Sequence, residues 1–176
     1  MAYLTVNTQG THPHIYLSVD TTNLFDGTNS DTWVTTTATA LDVTCLQDVT
    51  VNNSTGIFSW VDFCSEDMNK VTTPADNSIS TNMVVDPTVF FGDGTTPAVV
   101  APDYGVNGLS STKTQVQWVL VMNGDANFTT SPGAQWYRGI GFITSIAPTV
   151  SPDSPVWISP MEIAVTGDMT TGTIAS

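Results

Sequence analysis

The stretch that decides the fold is Thr114-Gln115-Val116-Gln117-Trp118-Val119-Leu120-Val121-Met122. Its first half alternates polar and apolar side chains, which is the period of a strand with one buried face. Its second half is apolar at every position, as in a strand that is buried on both faces. Branched and aromatic side chains of this kind suit a pleated sheet better than a helix. The stretch therefore predicts a central strand over residues 114–122, followed by a turn at residues 123–125.

A second long strand is predicted over residues 136–146, where Gly139 and Gly141 mark places at which a neighbouring backbone comes close. Shorter strand-like segments recur along the rest of the chain between turn signals. They cover residues 4–6, 14–19, 32–39, 41–45 continuing to 49–51, 57–63, 79–85, 89–91, 156–158 and 161–166. Only residues 102–109 indicate a helix, which Gly105 and Gly108 weaken.

These segments predict a mainly β chain of the β-sandwich or barrel-like type, with at most one short helix and long loops. The composition agrees, because the chain has 30 Thr and 20 Val but only 7 Leu, 2 Glu and 2 Lys. Its 176 residues fit one domain, so residues 1–176 are expected to fold as a single unit. Residues 167–176 are expected to form a small polar tail.

The charge excludes several classes of partner. Sixteen acids oppose three bases, Lys70, Lys113 and Arg138, and the net charge is −13. Electrostatic binding to nucleic acid needs clustered Lys and Arg, which this sequence lacks. An anionic membrane surface is excluded for the same reason.

Other sequence features bear on localisation. No apolar run approaches the roughly 18–20 residues that span a bilayer. Residues 1–7 contain neither a basic segment nor an apolar core of a signal peptide. Two cysteines do not make a disulfide framework. We therefore expect synthesis in a reducing cytoplasm and no membrane partner.

His12 and His14 form the only His-x-His pair and would face the same side of a strand, as a pair of metal ligands can. Zinc needs three or four ligands, and no further His exists, so we interpret the pair as surface imidazoles at an edge or loop around Pro13. We interpret Cys45 and Cys64 as free buried thiols, with a disulfide between them as the alternative.

Two loops resemble calcium loops faintly, at residues 26–31 and 93–95. Neither has the EF-hand spacing or a closing Glu, so ordinary turn chemistry accounts for them. Nothing marks a pair of catalytic carboxylates, and a nucleophile elbow, a phosphate-binding loop and a dinucleotide fingerprint are missing. We therefore expect no enzyme, no catalytic residue, no cofactor and no metal.

Five Trp residues are spread along strand-like positions, and sugar stacking is one use for exposed Trp side chains. Packing in the core and between subunits is the interpretation that we favour. The residues are Trp33, Trp60, Trp118, Trp136 and Trp157.

The C-terminal third carries a resemblance to a known family. A glycine-containing aromatic strand from Tyr137 leads into Phe142-Ile143-Thr144-Ser145, then into a loop with Pro148, Pro152, Asp153 and Pro155, and then into Thr166-Gly167-Asp168-Met169-Thr170. In this order and spacing, the pieces resemble the ending of the major tail proteins of long-tailed bacteriophages. Residues 41–44, together with residues 48–51, resemble an early Asp-containing strand of that family, and residues 116–121 resemble the strand before the aromatic one. The family has a clear helix ahead of the second of these, and residues 102–109 match it poorly.

The resemblance implies a structural virion protein, the tail-tube subunit. Six copies would join into a ring whose strands form a continuous inner barrel, and stacked rings would form the tube. Residues 1–13, as an N-terminal arm, and residues 167–176, as a C-terminal tail, would take part in assembly together with other tail proteins. The genome would pass through the lumen during ejection without specific binding, and the acidic excess would repel its phosphates.

Two other functions fit the same residues. The first is another structural component of the virion, either a capsid-decoration protein or a tail-terminator protein. A carbohydrate-binding or adhesin domain would use Trp and Asp loops. Plain solubility is the alternative reason for the acidic excess.

Overall fold

A computed structural model describes residues 12–27, 40–43, 45–60, 68–73, 76–94, 101–124, 133–152 and 156–174. The predicted strands at residues 4–6 and 32–39 lie outside these ranges. Within them the chain forms nine strands and two helices, in the order β1 (His12–Ser18), β2 (Ala40–Val43), β3 (Leu46–Asn52), β4 (Gly56–Trp60), β5 (Asn69–Thr73), β6 (Ser78–Val84), α1 (Pro87–Phe91), α2 (Ala101–Ser111), β7 (Gln115–Gly124), β8 (Gln135–Ile146) and β9 (Ile158–Thr173).

Seven strands form one antiparallel sheet in the order β2-β1-β7-β8-β9-β6-β3, and β4 pairs only with β5 in a separate two-stranded ribbon. The predicted mainly β fold is confirmed, and so is the central position of β7. Its residues Trp118, Val119, Leu120 and Val121 are all buried, because side chains on both faces of this strand pack against other parts of the chain.

The sheet curls until its two outer strands come together. β2 ends at Val43 and β3 begins at Leu46, although these strands form opposite edges of the sheet. Three peptide steps span at most about 11 Å. The short link passes through Cys45, whose φ is 59° and whose carbonyl accepts a hydrogen bond from the N–H of Val84. The prediction that residues 41–45 continue into residues 49–51 as one strand is therefore wrong.

The two helices close the inner face of this curled sheet. Phe90 of α1 and Ala101, Val106 and Leu109 of α2 are buried in the same core as the inward side chains of the strands. α2 bends at Gly105, which has φ 58° and lies against the end of α1. The structure thus has a kinked helix where a poor one was expected.

α1 replaces the strand that was predicted at residues 89–91. Asp86 accepts hydrogen bonds from the N–H groups of Thr88 and Val89, at 2.8 and 3.1 Å, and Pro87 occupies the first turn. A side-chain acceptor of this kind, followed by Pro, stabilises a helix start. This stabilised helix start at Asp86 and Pro87 therefore outweighs the strand preference of Val89, Phe90 and Phe91.

β9 is longer than expected, since it continues through Gly167 to Thr173 alongside the first half of β8. The expected polar tail at residues 167–176 is therefore a strand as far as Thr173. Gly172 packs against the ring of Trp136, where a larger residue would clash. The expected close approach at Gly141 is confirmed, because it lies against the backbone of Ala164, and Gly139 lies against the ring of Trp118.

Candidate functional site

The histidines do not lie as expected. His14 is only 6% exposed, on a strand that pairs with β2 on one side and β7 on the other. Its Nδ1 lies 3.1 Å from Oδ1 of Asp42. The interpretation as surface imidazoles at an edge is therefore wrong for His14, whereas His12 is exposed. Pro13 is accommodated because the pairing with β7 shifts register between the two histidines.

Cys45 is exposed, so its interpretation as a buried thiol is wrong; Cys64 lies outside the described residues. Within the described ranges, no group of three or more His, Cys, Asp or Glu side chains is arranged to hold a metal ion. The two calcium-like loops are only partly described, at residues 26–27 and 93–94. No helix in the described part of the chain is long and apolar enough to cross a membrane.

The tryptophans divide into two groups. Trp118 and Trp136 are buried, at 0% and 5% exposure, and belong to the core. Trp60 and Trp157 are 42% and 47% exposed. Trp33 lies outside the described residues. Core packing is thus confirmed for two tryptophans, and the two exposed ones belong to surfaces that are described below.

A polar surface covers the outer side of β9, β6 and β3, the three strands at one edge of the large sheet. In β6, Ile79 and Met83 point into the core, while Ser78, Ser80 and Asn82 point away from it. Cross-strand partners share a face, and the partners of these three residues are Asn52, Thr50 and Asp48 on β3 and Ala164, Glu162 and Pro160 on β9. We call these nine residues the polar sheet face.

The polar sheet face carries two carboxylates and no cation. Asp48 is held in place by the N–H and the side-chain amide of Asn82, at 3.0 and 2.7 Å. Glu162 is exposed beside Ser80. From the strand spacing and the rise per residue, their Cα atoms lie about 12 Å apart. This surface therefore presents small polar groups and negative charge to whatever lies opposite it.

The outer face of β1, β7 and β8 is covered instead by the loop at residues 19–27. Phe25 is buried against Trp136, with ring centroids 5.3 Å apart. Gln117 of β7, only 1% exposed, accepts a hydrogen bond from the N–H of Phe25 and donates to the carbonyls of Asp20 and Asn23. A single buried side chain thus satisfies three backbone groups of the loop.

Arg138 also holds this loop. Its guanidinium donates to the carbonyl of Phe25 and lies 5.8 Å from the centroid of the Trp136 ring. Within the loop, the hydroxyl and N–H of Thr22 and the side chain and N–H of Asn23 donate to the carboxylate of Asp20 and hold its pKa well below the usual range. The three cations belong to different parts of the chain, since Lys70 lies on β5, Lys113 follows α2 and Arg138 lies on β8.

Among the described residues, two groups of neighbouring apolar side chains are exposed. On the β4–β5 ribbon, Phe58, Trp60 and Val71 share one side, since Phe58 pairs with Val71 and the rings of Phe58 and Trp60 stack at 5.8 Å. We call this side the ribbon face; its three residues are 56%, 42% and 48% exposed. The second surface, the Trp157 patch, consists of Val150, Val156 and Trp157, which are 54%, 41% and 47% exposed.

No family model matches the sequence, and no curated protein is a significant relative of it. Solved structures are similar in fold. The cap that terminates the tube of the anti-feeding prophage matches with a TM-score of 0.50 and 12% identity, over 98% of this chain and 94% of that one. The tail tube of SPP1 matches with a TM-score of 0.50 and 13% identity, over 93% of this chain and 78% of that one.

A terminator protein of the PVC extracellular contractile injection system is a weaker match, with a TM-score of 0.48 and 13% identity over 72% of this chain. At 12–13% identity the likeness concerns the fold. The chain therefore has the fold of tail-tube and tube-cap proteins, and the resemblance seen in the sequence is confirmed at that level.

Proposed function

We propose that this chain is a structural subunit of a bacteriophage tail, and that it assembles into hexameric rings that stack into a tube through which the genome passes. The polar sheet face carries the proposal: a surface with two carboxylates and no cation, on a fold shared with tail-tube and tube-cap proteins. In the assembled ring this face lines the lumen.

A negatively charged wall suits the passage of DNA. Phosphates bind where Lys and Arg neutralise them, and a wall without cations offers no such contact. Asp48 and Glu162 stand about 12 Å apart, close to the Debye length of about 10 Å at 0.1 M salt. Their fields therefore overlap only partly at physiological salt, and they repel a polyanion that comes within about 10 Å of the wall.

The strand edges suit a closed ring. β2 and β3 each pair on one side only among the described strands. Such edges are templates for pairing with another chain, and pairing around a ring leaves none of them open. Residues 1–13 and 167–176 join in this assembly, as the resemblance to tail-tube subunits implies. The subunit is made in the host cytoplasm, contacts other tail proteins, and resides in the virion without cofactor, metal or enzymatic activity.

A matched pair of lysine variants tests the position of the lumen. Ser80→Lys adds a positive charge beside Glu162 on the polar sheet face, and Asn107→Lys adds the same charge at an exposed position of α2. The probe is a short double-stranded oligonucleotide mixed with assembled tubes and sedimented with them. Retention is expected for Ser80→Lys, falling as salt rises, and at the wild-type level for Asn107→Lys. Equal retention by both variants would place the polar sheet face outside the lumen.

A tube cap is the second candidate, because the cap of the anti-feeding prophage matches nearly the whole of this chain. A cap stops at one ring, whereas a tube subunit continues to stack. The particle mass of wild-type protein at rising concentration separates the two: growth beyond one ring supports the tube subunit, and a mass that stays constant at one ring supports the cap.

A further inference from the structure

Arg138 is the only arginine of the chain, and its charge has no counterion among the described residues. The one ion pair in that part of the chain joins His14 to Asp42. The guanidinium of Arg138 is partly buried, donates to the carbonyl of Phe25 and lies over the ring of Trp136. A guanidinium has several N–H donors in a planar fork, which a carboxylate can accept side by side. Arg138 therefore retains donors for an anionic partner.

A cavity of about 180 Å³ lies beside Arg138 on the outer face of the sheet. Leu24 and Ile140 are its apolar lining residues, and Thr166 and Thr170 of β9 contribute hydroxyl groups. An apolar cavity of about 150 Å³ holds a molecule of benzene. The cavity beside Arg138 therefore has room for a carboxylate side chain of the size of Glu.

A bulge in β9 shapes this cavity. Arg138 and Ile140 both pair with β9, but residues 167–169 stand between their partners and oppose Gly139 alone. An insertion of this kind bends the bulged strand and disrupts its pairing locally. Asp168, in the middle of the bulge, also lines the cavity, yet it forms no ion pair with Arg138. The bulge thus leaves space beside the guanidinium without neutralising its charge.

The cavity adjoins the polar sheet face. Glu162 and Thr166 are both exposed on β9, and alternate side chains of a strand share one face. From the rise per residue, these two residues lie about 13 Å apart. In the proposed function this face lines the lumen, where an uncovered guanidinium would attract the phosphates of DNA. A carboxylate that covers Arg138 would keep the wall free of accessible cations.

The charges of the chain favour a second copy as the source of this carboxylate. Each copy has 16 acids and three bases, so copies that meet repel each other unless a cation lies at their contact. Lys70 and Lys113 are exposed, where salt screens their charges. Arg138 is partly buried in a cavity, and its planar guanidinium matches the geometry of a carboxylate. It is therefore the cation best suited to such a contact.

We propose that a carboxylate side chain of a second copy enters this cavity and pairs with Arg138, and that the ion pair joins neighbouring subunits of a ring. The inference rests on the proposed function, in which copies of the chain assemble. It gives Arg138 two roles, since the guanidinium holds the loop at Phe25 within its own subunit and binds an acid of the next subunit.

Cross-linking of the variant Arg138→Lys identifies the partner. The variant keeps a cation in the cavity and supplies an amine. A water-soluble carbodiimide joins this amine to an adjacent carboxylate as an amide and takes up the released water as a urea. Particles are assembled from an equal mixture of unlabelled and isotope-labelled protein, so that mass spectrometry separates cross-links within one copy from those between copies. We expect a mixed-isotope cross-link from position 138 to an acid, absent from wild-type protein that is treated in the same way.

A second variant fills the cavity from within the subunit. Thr166→Glu places a carboxylate opposite Ile140 and diagonal to Arg138, within reach of a long side chain. The variant should keep the wild-type melting temperature. It should raise the protein concentration needed for ring formation at least about tenfold, because the loss of a buried interfacial charge pair weakens binding by that factor or more. Thr88→Glu makes the same chemical change at an exposed position of α1 and should assemble as the wild type does.

Two outcomes would overturn the inference and leave the proposed function intact. The first is a cross-linking result in which position 138 reacts only within its own copy, for instance with Asp168, or not at all. The second is equal assembly of Thr166→Glu and Thr88→Glu, whether both form rings or neither does. Wild-type protein that remains monomeric at high concentration would instead remove the proposed function, and the inference with it.

Discussion

Replacing Gln117 by Met should uncouple the loop at residues 19–27 from the sheet. Met has a similar volume and no hydrogen-bonding amide, so the N–H of Phe25 and the carbonyls of Asp20 and Asn23 lose their partner. A buried polar group left unpaired costs about 1–3 kcal/mol. The contact to Phe25 is buried and the other two are partly buried, so we expect a total loss of about 3 kcal/mol.

For a chain of this length, each kcal/mol lowers Tm by about 2–4 °C. The expected decrease is therefore roughly 6–12 °C in a thermal melt of the unassembled protein. Hydrogen exchange should localise the effect, with faster exchange of the Phe25 amide and unchanged protection in β6 and β9. Gln115→Met makes the same chemical change at an exposed position of the same strand and should leave Tm unaltered. A decrease of less than about 2 °C for Gln117→Met would refute the reasoning.

Two further predictions concern the same loop and the helices. Asp20→Ala should lower Tm near neutral pH, because hydrogen bonds from Thr22 and Asn23 stabilise the ionised carboxylate and depress the folded-state pKa of Asp20. The difference in Tm between the variant and the wild type should shrink as the pH falls below about 4, since the contribution of Asp20 to stability disappears when its carboxylate is protonated. A difference in Tm that is independent of pH would contradict this. Gly105→Ala should lower Tm by more than Gly133→Ala in the same melting experiment. Both glycines have positive φ, but an added Cβ at Gly105 would approach the backbone of Phe90 and Phe91, whereas at Gly133 it would meet open space; equal effects would show that the packing of α1 on α2 tolerates the change.

The local sequence pattern was sufficient to predict the strand that is buried on both faces. Trp118 to Val121 are apolar without interruption, and a segment of this kind has no stable place except between neighbouring strands. β6 is predicted as a strand, but the polar Thr81 interrupts any apolar alternation, and only the structure shows that Ile79, Thr81 and Met83 share its buried face. The predicted close approach of a neighbouring backbone is confirmed for Gly141 of β8, whereas Gly139 lies against the ring of Trp118.

Other elements have local signals in the sequence that compete with one another. Asp86-Pro87-Thr88 is a helix start, and it outweighs the strand preference of the aromatic residues that follow. The Thr-rich run from Thr170 to Thr173 has strand chemistry, although Gly167 before it and Gly172 within it suggested a tail. Gln117 is different, because the alternation with Gln115 predicts an exposed side chain, and its burial comes from the loop at residues 19–27, which no local pattern places there.

The candidate site could not be predicted in this way. The polar sheet face exists because β3 and β9 flank β6, and neither flanking pair is connected by a short hairpin. Asp48 and Glu162 are more than a hundred residues apart in the sequence, so no local pattern places them on one surface. His14 was misassigned because its partner Asp42 is supplied by the pairing of β1 with β2.

Electron cryomicroscopy of the purified, concentrated protein is the measurement that tests the central claim most directly, because it gives the symmetry of the particle and the orientation of each strand together. Our account predicts hollow tubes of stacked six-fold rings, with Glu162 and Asp48 facing the channel. A protein that stays monomeric, or a ring whose β3, β6 and β9 face away from the channel, would contradict it.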